Sequence, residues 1–202
     1  MKYKQQLYFV ISFIVLRMLM FVFYMFFAPA QPGPYTPYYI FLYSLFDALI
    51  LCYLYRFVKI IKQQPFSLIA VIAIIVSMIY NVLLNLFGPF KGAEWTQGQA
   101  QVAEAIPNLV SFIAHVVLVV QLIRNRLEDR SGRNLKLVGW SQVFVAIVGL
   151  ATIFFEDAGL SIPLHFIQLI STLPWVAMIL LYFYELRGED KENNSSTIDS
   201  TL

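Results

Sequence analysis

The side chains in this chain that could bind a polar group or exchange a proton recur at helical spacing. Ser77, Asn81 and Asn85 repeat every fourth residue, and Glu104, Asn108, Ser111 and His115 follow at steps of three or four. Gln142, Gly149, Thr152 and Glu156 make a third such row, and His165, Gln168, Thr172 and Trp175 a fourth. Residues at these steps share one face of a helix, because an α-helix turns once every ~3.6 residues. Amides offer donors and acceptors together, and an imidazole titrates near neutral pH. Converging rows would therefore suit a polar ligand group or a proton transfer. The candidate cavity residues are Asn81, Asn85, Glu104, Asn108, His115, Glu156, His165 and Gln168. Two histidines with a glutamate could bind zinc. Here, however, the histidines stand in separate segments without H-x-x-x-H or E-x-x-H spacing, so no metal site is assigned.

Arg17 and Asp47 are different in kind, since each stands alone in a long apolar run. Arg17 lies about ten residues into its run, which at ~1.5 Å per residue is ~15 Å deep, near the middle of a ~30 Å hydrocarbon core. Asp47 reaches a similar depth in the next run. An unpaired charge there costs ~2.5–3.5 kcal/mol or more, so such groups pair or face water. The leading expectation is an Arg17–Asp47 clasp between neighbouring spans, with Tyr43 and Ser44 beside it. A proton or ion site on Asp47 ranks second.

The elements that carry these residues follow from composition. The 202 residues are 59% hydrophobic and 13% charged, against ~45–50% and ~25% in soluble domains. Of the fourteen Lys and Arg residues, all but Arg17 and Lys91 fall in the N-terminus, two alternate loops and the C-terminus. Positive charge marks the cytoplasmic side of membrane spans. The expectation is an all-α polytopic membrane protein with six helices in one bundle and both termini cytoplasmic, multi-pass in a bacterial inner (plasma) membrane. This placement accounts for the basic residues without any nucleic-acid partner.

The spans fall near 7–27, 38–55, 67–87, 105–123, 137–155 and 162–185, giving a transmembrane domain over 1–187. The polar segment 188–202 is expected to be a disordered cytoplasmic tail. Lys2, Lys4 and Ala28-Pro29-Ala30 imitate a secretory signal, but the apolar run between them exceeds the ~7–15 residues of a signal core. A retained first span is the better reading. Pro107 is expected in the first turn of span four, where proline is tolerated. Pro174 is expected to kink the middle of span six. Cys52 is the single cysteine, so no intramolecular disulfide can form, and it reads as a small packing residue. Tyr35, Tyr38, Tyr39, Trp95, Trp140, Tyr182 and Tyr184, at or near span ends, read as anchors at the headgroup level.

No phosphate loop, nucleophile elbow or H-E-x-x-H occurs, and neither a cofactor nor a catalytic set can be named. Leu68–Val76 and Val116–Val120 contain no polar residue, so a polar route through the membrane is incomplete. The first functional reading is thus an outward-facing cavity for a small or lipid-like ligand, in a sensor, accessory or regulatory subunit. A small secondary transporter using Asp47 and Arg17 comes second. An intramembrane enzyme using His115, His165 and a glutamate comes third. The bilayer is the expected partner, and the small size is compatible with homo-oligomerisation.

Overall fold

The computed structural model describes residues 3–27, 36–87, 97–157 and 169–199. Among them are six long α-helices, with no strand. They are α1 (Tyr3–Phe27), α2 (Thr36–Tyr55), α3 (Leu68–Phe87), α4 (Gln97–Ile123), α5 (Arg130–Asp157) and α6 (Leu173–Asp199). A π-helical segment, Arg56–Ile61, continues α2. Five stretches are long and apolar enough to cross a membrane: Tyr3–Phe23, Tyr39–Ile61, Ala105–Ile123, Arg130–Thr152 and Leu169–Gly188. Leu68–Leu84 of α3 is also apolar, but shorter. Between 17% and 33% of each long stretch is buried within the chain. The outward surface is apolar too, with Ile69 81% exposed. Water would not tolerate that much exposed hydrocarbon, whereas lipid does.

The chain packs as two compact units, Met1–Met18 with Leu122–Leu202, and Leu19–Gln121. In the first unit, Leu7, Val10, Ile14 and Arg17 form one buried face of α1. Leu135 and Val138 of α5, and Ala177, Met178, Leu181 and Tyr182 of α6, complete its core. The turn from α4 to α5 is tightly specified. Asn125, buried, donates to the carbonyls of Leu122 at 2.6 Å and Gly132 at 3.1 Å. Its Oδ1 accepts the Leu127 N–H at 3.2 Å. Asp129 caps α5, its carboxylate accepting the Gly132 N–H at 2.8 Å. A Cβ on Gly132 would lie 2.1 Å from the Leu127 carbonyl oxygen, so glycine is required by close approach.

In the second unit, α2 turns back onto α3 around Ile50, Leu54, Phe57, Val58, Phe66, Val71 and Ile74. The π-helical end closes with Lys62 N–H donating to Phe57 and Gln64 N–H to Val58, both at 2.9 Å. Gln63 has φ 51°, the left-handed position usual just beyond a helix end. Ser67 begins α3, its Oγ accepting the Ala70 N–H at 3.2 Å, and its own N–H is taken by Gln121 Oε1 of α4 at 2.8 Å. The hydroxyl of Tyr39 donates to the Met20 carbonyl at 2.8 Å and so ties α2 to α1.

Several local expectations change. Helix α4 starts at Gln97, so Pro107 lies inside a helix rather than in its first turn. Apolarity marks the depth of immersion, whereas helices extend past the membrane-compatible window. Residues 169–171 are helical, Thr172 is a turn and α6 begins at Leu173, so the Leu169–Gly188 stretch is interrupted beside Pro174. Pro174 stands in the first turn after the break, where its missing N–H costs little. The Thr172 carbonyl accepts from both Trp175 at 3.0 Å and Val176 at 3.1 Å. Helix α6 runs past Gly188 to Asp199. Propagating an existing helix adds one hydrogen bond per residue without a new nucleus. Cys52 is exposed on the surface of the chain rather than packed inside it.

Candidate functional site

The second unit brings two of the expected polar rows together. Asn81 Nδ2 on α3 donates to Asn108 Oδ1 on α4 at 3.2 Å. An amide has several hydrogen-bonding positions, and this bond uses one on each partner. Beside the pair, a groove of about 470 Å³ runs between the helices, lined by Ala73, Val76, Ser77, Tyr80, Pro107 and Val110 among others. Asn81 follows the lining residue Tyr80 and stands one turn beyond Ser77, and Asn108 follows Pro107. The groove is therefore hydrocarbon along its length, and the amide pair neighbours its lining residues in sequence.

Further along α4, His115 is exposed, and its Nδ1 lies 2.8 Å from the Ser111 carbonyl. A carbonyl only accepts, so Nδ1 carries the proton in the neutral ring and Nε2 holds the lone pair. The Ser111 hydroxyl is 3.4 Å from the same nitrogen. His115 thus presents an acceptor away from its own helix.

Other members of the rows satisfy themselves locally. Ser77, buried, donates to Ala73 and Thr152 to Val148, each at 2.8 Å, and Thr172 donates to Leu169 at 2.7 Å. A hydroxyl that returns to its own helix needs no partner across the membrane. Glu104 and Glu156 lie on α4 and α5 and Asn85 on α3, but their side chains are outside the described residues, as are His165 and Gln168 altogether. Among the described residues no three His, Cys, Asp or Glu side chains gather where a metal could bind.

Arg17 is buried, and its guanidinium carbon lies 5.0 Å from the centroid of the Trp175 ring in the same unit. Asp47, half-buried on α2, belongs to the second unit. Sequence reasoning placed Trp175 in a polar row and missed it as a contact of Arg17. The available signal was a tryptophan within an apolar span, whose ring face attracts a cation. The ring of Tyr184, read as a headgroup anchor, likewise lies beneath the Arg130 guanidinium carbon, 4.4 Å from its centroid.

The fold and the site define an all-helical protein with, among the described residues, five helices long and apolar enough to cross a membrane and an amide pair beside an apolar groove. Comparison with protein-family models, curated proteins and solved structures gives no match.

Proposed function

We propose that this chain is a six-span integral membrane protein of a bacterial inner (plasma) membrane, with both termini cytoplasmic, that binds a small lipid-like ligand between α3 and α4. α3 would be the sixth span. The observation that carries the ligand reading is the Asn81–Asn108 hydrogen bond beside the apolar groove. Lipid offers amides nothing, so such a pair is placed where polar groups are needed. An apolar body would occupy the groove beside Val76 and Val110 while a polar head exchanged hydrogen bonds with the amides and Tyr80. With Leu68–Val76 and Val116–Val120 devoid of polar side chains, the ligand would be held rather than passed across. That favours a sensor, accessory or regulatory subunit.

Mass spectrometry of molecules extracted from the purified protein tests this beside an Ala73→Phe variant, in which the added ring fills the groove. The expected result is a molecule with one polar head, enriched over bulk lipid with the wild-type protein and lost with the variant. Asn81→Leu should weaken retention while leaving the groove open. Identical extracts from all three proteins would remove the ligand reading.

A further inference from the structure

We propose that the α4–α5 turn of the first unit is a binding site for the phosphate headgroup of an anionic phospholipid. Arg124, Arg126, Arg130 and Arg133 are exposed within ten residues of one another, and Lys136 follows one turn later. Repulsion among so many cations would ordinarily spread a flexible loop, but this one is held. Asn125, between Arg124 and Arg126, is buried and makes three hydrogen bonds across the turn. Gly132 packs so closely on Leu127 that no Cβ would fit. The guanidinium carbon of Arg130 lies over the Tyr184 ring, 4.4 Å from its centroid, and Ser131, buried next to it, donates to Glu185.

The acids in and beside the turn, Glu128, Asp129 and Glu185, are outnumbered by its cations, Arg124, Arg126, Arg130, Arg133 and Lys136. The Asp129 carboxylate accepts the Gly132 N–H and Glu185 accepts from Ser131, while Glu128 and Asp129 are both exposed. Arg130 and Arg133 are three residues apart in the first turn of α5 and share a face. A guanidinium presents a planar fork of donors that matches phosphate oxygens, and packing over an aromatic ring restrains it before the ligand arrives. The turn joins two apolar stretches, Ala105–Ile123 and Arg130–Thr152, so its height is that of the headgroups. Simple topological retention needs cations but not a rigid scaffold, and the buried Asn125 is what retention leaves unexplained. Anionic headgroups add about fivefold in binding per basic residue near the surface.

The test is native mass spectrometry of the full chain in detergent, titrated with phosphatidylglycerol and with phosphatidylcholine. The wild-type protein should prefer phosphatidylglycerol by about fivefold or more. Arg124→Gln with Arg126→Gln and Arg133→Gln should lose that preference. The same number of charges removed elsewhere, as Arg56→Gln with Lys59→Gln and Lys62→Gln, should leave most of it. Asn125→Ala retains every charge, and with them the orienting signal, yet should weaken the preference because the arginines are no longer held. Equal losses from the two triple variants would overturn the site in favour of diffuse charge. An unchanged Asn125→Ala variant would overturn the preformed geometry. Displacement of the lipid by inorganic phosphate alone would assign the turn to free phosphate instead. These readouts do not involve the α3–α4 groove, so this site stands or falls separately from the ligand proposed there.

Discussion

The guanidinium of Arg17 on α1 lies 5.0 Å from the centre of the Trp175 ring on α6, two residues past the start of that helix. A charge that the sequence leaves alone in an apolar run thus meets the π-face of a residue far away in the chain. The buried face of α1, Leu7, Val10 and Ile14, leads directly to it.

Trp175→Leu should lower stability in detergent by about 2 kcal/mol, the scale of a desolvated cation–π contact. Arg17→Lys should recover only part of that contact, since a compact ammonium lacks the planar guanidinium. A double-mutant cycle with Arg17→Ala and Trp175→Leu, read by thermal unfolding, should show coupling, and additive losses would deny it. A parallel cycle with Asp47→Ala tests the proposed clasp. If the expected Arg17–Asp47 clasp forms, the double variant is more stable than Arg17→Ala alone, because the single change then strands a carboxylate.

The amide pair makes a second prediction. Asn81→Leu should destabilise the second unit by leaving Asn108 short of a donor, and Asn108→Leu should do the same in reverse. The coupling energy between them should fall in the ~0.6–1.7 kcal/mol range of interhelical hydrogen bonds in membranes. Unfolding of the two single variants and of the double in detergent measures it, and a coupling near zero would mean the bond carries no stability.

Gly132→Ala should be among the most damaging small substitutions in the first unit. The new methyl group meets the Leu127 carbonyl oxygen at 2.1 Å, so backbone must move. Overpacking typically costs ~1–3 kcal/mol, and a contact with backbone belongs at the upper end. Gly149→Ala, where nothing lies within 4 Å, should instead be neutral or mildly stabilising, since alanine is the better helix former. Equal melting temperatures for the two variants would contradict the tight turn.

The proposed six-span topology is checked by reporter fusions. Reporters inserted at Ser131 or fused after Leu202 should be active only in the cytoplasm, and those near Gly92 and Gly159 only outside. A cytoplasmic signal at Gly92 would remove α3 as a span. That is the helix whose described apolar stretch is shorter than the other five.

Composition alone specified helices of membrane length. When 59% of residues are hydrophobic, long runs without charge bury their backbone polarity only by coiling into helices. Spacing also showed that Asn81 and Asn108 stand on polar rows, because the helical period is local. Which rows meet was decided by packing. Asn81 finds Asn108, while Ser77 and Thr152 bond to their own helices, a choice that depends on side-chain length and on how closely two backbones approach. Helix ends were equally hidden: hydropathy follows the surrounding solvent, whereas α4 begins where backbone hydrogen bonds begin, at Gln97. The positions of Trp175 beneath Arg17 and of Asn125 within its turn were set by residues brought together from separate segments. No periodicity in one dimension encodes a contact between segments 158 residues apart in number, as Arg17 and Trp175 are (175 − 17); only the closing of α1 onto α6 creates it.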